Sequence, residues 1–354
     1  MSGTAGPGSL AAHGVLATLG ADAPLVAAPM AGGPSGPPLV AAAARAGATG
    51  FLAGGYLTPD ALAAQVAETR RSTERFGVNL FAPPAVPVDP AAFRAYASQL
   101  ADLAASFGVD LDGAEPREDD DHWRAKIDLL VDLAVPLVSF TFGLPSAADV
   151  EALRAVGTTV VQTVTSPDEA ARAEREAGPD VLVVQSSEAG GHSGTLDPAR
   201  PPASTGLTDL VAAVRAVTDL PVWAAGGLAT PGAVRAVLEA GAEAAVVGTV
   251  LLRAPESGAN ATYKAALADP ARTTTVVTRA FSGRPARALV NGFVERFDAD
   301  APAGYPALHH LTSPIRRAAA AAGDPEAINI WAGTGHAHGT DEPAEVVLRR
   351  LAAG

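Results

Sequence analysis

Up to about residue 250 the chain alternates short apolar, β-prone runs with Ala-rich helical stretches. This alternation predicts an α/β fold. Eight runs read as strands: Leu25–Ala28, Gly50–Ala53, Phe76–Leu80, Leu137–Phe142, Thr159–Val164, Val181–Gln185, Val222–Ala225 and Ala244–Val247. The clearest helices between them are Pro59–Arg70, Ser166–Ala177, Thr208–Val217 and Thr230–Ala240. Each opens near Ser, Thr or Pro and several close near Gly, residues that cap or release a helix end. Eight strand–helix repeats fit a closed (β/α)8 or TIM barrel, with a doubly wound open sheet as the alternative.

The rhythm breaks twice. Between Gly108 and Trp123 lies the acidic run Glu115–Asp121, which reads as a solvated surface excursion. After Leu252 the strand–helix repeat stops, and a region containing Tyr263, Phe281, Phe293, Phe297 and Tyr305 runs to about Asn329. It reads as a small, mainly helical lid domain. A last helix, about Pro343–Ala352, carries Val346, Val347 and Leu351 near one face and is expected to pack back on the barrel. The expected division is a barrel of residues 1–252 plus 338–354 and a lid of residues 253–337.

Composition narrows the partners. With 354 residues, 48% of them hydrophobic, the chain can bury a large core. The 25 Lys and Arg against 38 Asp and Glu give a net charge of −13, which disfavours nucleic acid. The absence of cysteine excludes disulfides, thiolate metal sites and cysteine nucleophiles. Met1–Gly8 lacks the basic and apolar regions of a signal peptide, and no apolar stretch reaches the roughly 20 residues of a membrane helix. A cytoplasmic protein, monomer or homodimer, is the expectation.

The chemistry should sit at the C-terminal ends of the strands, and glycine clusters gather there: Ala28–Gly33, Gln185–Gly194, Ala224–Gly227 and Val246–Thr249. The sixth strand empties into Glu188-Ala-Gly-Gly-His-Ser-Gly194, where the glycines allow a close approach to a planar ligand and leave the His192 imidazole free for proton chemistry. The turns after the last two strands, Ala225-Gly-Gly-Leu228 and Gly248-Thr249, can converge backbone N–H groups on a phosphate without Lys or Arg. Met30 reads as a soft contact for a ring edge or as a core methionine. Asn79 and Gln185 read as amides for a pyrimidine-like ring, Asn79 also as a turn cap.

Together with Gly77-Val-Asn-Leu80, Thr163–Ala170, Phe281-Ser-Gly-Arg-Pro-Ala-Arg287 and Ile330-Trp-Ala-Gly333, these motifs resemble the nitronate monooxygenase (2-nitropropane dioxygenase-like) family across nearly the whole chain. The resemblance implies an FMN-dependent TIM barrel with a smaller lid. It implies oxidation of alkyl nitronates, such as propionate 3-nitronate, by O2 to a carbonyl compound and nitrite, with no metal. Met30, Asn79, Gln185, Gly190, Gly227, Val246, Val247, Gly248 and Thr249 are then the FMN-binding positions, and His192 the catalytic histidine, taking a proton or orienting the nitronate.

The chain departs from the family pattern at Ser186, where Gly is usual, at Ser193, where a basic residue is usual, and at Thr334 in place of Gln. His13, His122, His309 and His310 read as solvated. His336 and His338 lack a third ligand in sequence reach for a metal, and Arg284 and Arg287 read as structural. The alternatives are a flavin-dependent enoyl-ACP reductase-like enzyme using NAD(P)H and a non-catalytic barrel binding FMN or a phosphorylated metabolite.

Overall fold

The computed structural model describes residues 10–83 and 87–353; the Met1–Gly8 segment lies outside the described residues. The strands are β1 (Leu25–Ala27), β2 (Thr49–Ala53), β3 (Phe76–Phe81), β4 (Leu137–Thr141), β5 (Thr159–Val164), β6 (Val181–Gln185), β7 (Gly191–His192), β8 (Val222–Ala225), β9 (Ala244–Val247), β10 (Thr275–Thr278) and β11 (Ala286–Leu289). Eight of them form a closed parallel barrel in the order β1-β2-β3-β4-β5-β6-β8-β9. Closure is made by β9 on β1, with Val26 opposite Val246. All eight expected strands are present, and only β1 to β4 differ at an end, by a residue.

Side chains alternate between two packed layers, as the pleat requires. Val26, Phe51, Leu137, Val161, Trp223 and Val246 fill the barrel interior, while Leu25, Ala27, Leu182, Val184 and Val247 pack against the surrounding helices. Trp223 is fully buried and meets Phe51 edge to face at 6.4 Å. Gly77 makes room for that pair, because a Cβ there would lie 2.2 Å from the Phe51 ring. The helices begin where capping chemistry dictates: Thr58, Ser166 and Thr230 accept N–H bonds from residues 61, 169 and 233, each followed by proline at the first helical position.

The segment after β9 adds a second, antiparallel sheet that the sequence pattern did not announce. Its order is β10-β11-β7, so two residues of the glycine-rich loop, Gly191 and His192, pair with Arg287 and Ala286. Helices Ala261–Ala268, Gly292–Phe297 and Ala307–Ala322 complete the segment. Its core, including Phe281, Phe293 and Leu308, is continuous with Phe93, Tyr96 and Leu100 of helix Pro90–Ser106. The last helix, Ala344–Ala352, does pack on the barrel, with one correction to its face. Val346 is 43% exposed, and Leu348 joins Val347 and Leu351 in the core. No described helix is long and apolar enough to cross a membrane.

Candidate functional site

A cavity of about 790 Å³ opens at the C-terminal end of the barrel and reaches down to Phe51 and Trp223. Met30, Asn79, Gln185, Gly190 and His192 line it, as do Gly227, Val246, Gly248 and Thr249. Val247 does not. One residue along the strand from Val246, it faces the opposite way, into the layer between barrel and helices.

One wall is made of backbone. Gly226 and Gly227 take φ values of +128° and +67°, conformations that side chains resist. Within the described residues, the N–H groups of Gly226, Gly227, Gly248 and Thr249 donate to no protein acceptor. Thr249 begins a short 3-10 turn, Thr249–Leu251, so its N–H is also one of the donors a helix start leaves free. The Trp-Ala-Gly element seals this wall, since the Gly333 N–H donates to Thr249 Oγ1 at 3.0 Å. A Cβ on Gly190 would come within 2.5 Å of the Gly333 nitrogen. Free N–H groups on close-packed glycines fit a phosphate group.

A second wall presents His192. Gln185 Oε1 accepts the Gly194 N–H at 2.7 Å, and Gln185 Nε2 donates to the His192 carbonyl at 3.2 Å. The amide expected to meet a ligand ring thus folds the histidine loop, with one N–H left over. Asn79 Nδ2 is likewise engaged, donating to Ser139 Oγ at 2.9 Å and to Thr141 Oγ1 at 3.0 Å, so it ties β3 to β4 rather than capping a turn. The imidazole lies in an aromatic collar, with ring centres of Phe142, Tyr305 and Trp331 at 5.5, 5.9 and 5.2 Å. Its Nε2 is 2.8 Å from Ser282 Oγ. Ser282 and Trp331 carry no sequence signal beyond their motifs, and Phe142 and Tyr305 lie in none.

The cation missing at Ser193 is supplied from elsewhere. Arg284, 2% exposed, donates to the Ser193 and Thr195 carbonyls and stacks 3.9 Å over the Phe142 ring. The structural role expected for it holds, but its charge also reaches the imidazole. Burial, then Arg284 and Arg316, push the His192 pKa down to about 3. Within the described residues, Arg316 bonds to Thr312, Asn329 and His309 alone, and neither arginine has a carboxylate partner. Arg287 is structural, donating to Ser187 and Thr275.

Two expectations fail at the cavity mouth. The acidic excursion is not simply solvated: Asp119, Asp120 and Asp121 line the cavity. Asp121 pairs at 2.8 Å with Lys126, which is 1% exposed, and accepts the Tyr56 N–H. Burial draws both charges toward neutrality while the pair opposes it. His309 and His310 are not solvated either. His309 stacks on Tyr56 at 4.1 Å, and His310 meets Asp119 at 2.9 Å. The apolar tyrosine and the long helix Ala307–Ala322 recruit them, which local polarity does not reveal. His13 and His122 are exposed. His336 is buried, its ring bonded to the Gly333 and Arg272 carbonyls, and His338 is exposed.

Buried neutral histidines have a consequence for acid stability. His309, like His192, is held well below the usual range by burial and by Arg316. The unfolded chain therefore takes up protons first, as pH falls below 6.5, and folding loses stability from there toward the folded pKa values. Each ring contributes at most about 1.4 kcal/mol per pH unit. Thermal unfolding should show a midpoint falling from pH 6.5 to pH 4, with a shallower fall in a His192→Asn/His309→Asn protein. An unchanged slope would remove both rings from the acid response.

The sequence profile described as nitronate monooxygenase matches residues 15–351. A nitronate monooxygenase of Pseudomonas aeruginosa is 39% identical over 350 residues, covering 94% of this chain and 96% of the relative. A probable nitronate monooxygenase of Staphylococcus aureus is 34% identical, covering 93% of each. The crystal structure of a nitroalkane oxidase from Streptomyces ansochromogenes superposes with a TM-score of 0.89 at 44% identity, over 96% of this chain and 97% of that one. On the profile, these relatives and the shared barrel, the chain belongs to the nitronate monooxygenase family, a family of flavoenzymes.

Proposed function

We propose that the protein is an FMN-dependent nitronate monooxygenase, converting an alkyl nitronate and O2 to a carbonyl compound and nitrite. The observation that carries this reading is a neutral, enclosed imidazole facing the cavity, with buried Arg284 stacked on Phe142 of its collar and Arg316 on the cavity wall, neither paired with a carboxylate among the described residues. Such a site favours an anion over its neutral conjugate acid. The relatives named nitronate monooxygenase support the same reading.

The free N–H groups of Gly227, Gly248 and Thr249 would hold the FMN phosphate, with Met30, Asn79, Gln185, Gly190 and Val246 along the ring system. When bound, FMN supplies the redox chemistry that passes electrons from substrate to oxygen. The chain's own residues do the rest. Arg284 and Arg316 lower the cost of bringing an anion into the cavity. His192 hydrogen-bonds and orients the nitronate, and the Phe142–Tyr305–Trp331 collar limits water. With its pKa near 3, His192 is a weak base for a neutral nitroalkane. Residues 253–337 serve as the cover of this site. A net charge of −13 suits a cytoplasmic enzyme of small-molecule substrates, as a monomer or homodimer.

The test is the visible spectrum of the purified protein, followed by anaerobic addition of a nitronate. Yellow protein whose absorbance bleaches, with nitrite released on admitting air, is the expected result. Colourless protein that takes up no FMN would sink the flavin reading. NAD(P)H oxidation with a crotonyl thioester and no nitronate turnover would replace the reaction with the reductase one. Because His192 stays neutral, kcat/KM for a nitronate should show no inflection from His192 between pH 5 and 9, so that His192→Asn lowers the profile without changing its shape.

A further inference from the structure

Resting on that proposed reaction, we infer that Ser282 is a positioning residue, which fixes His192 as the Nδ1-protonated tautomer so that the ring donates a hydrogen bond to the anionic substrate. The two ring nitrogens stand in different surroundings. Nε2 is 2.8 Å from Ser282 Oγ, a strong contact for a hydroxyl. Nδ1 has no hydrogen-bond partner within the described residues and is not among the sealed, unpartnered atoms, so it is open to the cavity that His192 lines. Which nitrogen carries the proton is set by the partner of the other.

The hydroxyl's own surroundings decide the direction. Ser282 is 1% exposed, so no bulk water competes for it. Its oxygen lies 3.4 Å from the Arg284 N–H, a donor, and 3.4 Å from the Arg284 carbonyl. Among the described residues the carbonyl is the only other acceptor within reach of the Ser282 proton, and it is at a weak distance compared with 2.8 Å to the imidazole. The proton therefore goes to Nε2. The imidazole proton is left on Nδ1, on the cavity side.

The turn that makes this contact is held firmly. Ser282 and Gly283 donate their N–H groups to the Arg279 carbonyl. Gly283 takes φ +75°, and a Cβ there would lie 2.7 Å from the backbone of Gly304. The neighbouring β11 residue Ala286 pairs directly with His192. Serine and histidine thus sit on adjacent parts of one small sheet and its turn, which keeps their separation fixed.

The experiment uses the holoenzyme labelled with 15N-histidine, with His192→Asn identifying the signal. An Nδ1-protonated, Nε2-unprotonated pattern is expected in the parent protein, an averaged pattern in Ser282→Ala, and the parent pattern again in Ser282→Thr. Turnover of a nitronate should follow: kcat/KM falls about tenfold in Ser282→Ala, the worth of one hydrogen bond of roughly 1.4 kcal/mol, and recovers in Ser282→Thr. An Nε2-protonated parent, or a Ser282→Ala signal identical to the parent, overturns the inference. A protein with the Nδ1–H pattern that does not turn over nitronates overturns the proposed reaction while the Ser282 assignment stands.

Discussion

Replacing His192 by asparagine is expected to lower nitronate turnover by roughly 10²–10³-fold while the bound flavin colour persists. The imidazole is brought to the cavity by a strand pairing, a side-chain amide and a hydroxyl at once. Asparagine is smaller, cannot reach both Ser282 and the substrate, and leaves the aromatic collar incomplete. The backbone N–H wall is built from other loops, so FMN retention should be unaffected. Steady-state kinetics beside an absorbance spectrum separates the two functions. If turnover survives within a few-fold, His192 is an architectural residue and the proposed role is wrong.

Removing the carboxylate of Asp121 should cost about 3–5 kcal/mol of stability, because it strands the Lys126 ammonium in the protein interior. The effect of Asp121→Ala should reach the site as well. Asp121 accepts the N–H of Tyr56, which is held at φ +68°, and Tyr56 carries the stack with His309 and faces the Tyr305 hydroxyl. Urea unfolding measures the first consequence and the KM for a nitronate the second. The double variant Asp121→Leu/Lys126→Met should recover most of the stability, since an apolar pair removes both desolvation costs. A loss below about 1 kcal/mol in Asp121→Ala would mean that water reaches Lys126 and the pair is a surface one.

The barrel was legible because its strands are continuous apolar runs and its helices begin at capping residues followed by proline, as at Thr58-Pro59 and Thr230-Pro231. The glycine wall was legible because its conformations leave little choice of residue. What escaped is what depends on distance along the chain. β7 is two residues long, below any periodic signal, and its partner lies about a hundred residues later. Ser282 resembles any serine in a turn until its neighbour across the sheet is known. The acidic run looked solvated because charge density is a local property, whereas the buried partner of Asp121 sits on the next helix, facing inward. His309 and His310 were misjudged for the same reason. The assignment of Val247 as well as Val246 to the site ignored the alternation of a strand, which can turn only one of two adjacent side chains inward.

The pairing of β7 with β11 also orders events during synthesis. The eight barrel strands are complete once residue 247 has left the ribosome. His192 gains its partner strand only when Ala286–Leu289 has been made, and Gly190 gains its neighbour only with Gly333. A nascent barrel therefore emerges with its reactive loop unfinished, and the chain's final third acts as the step that matures it.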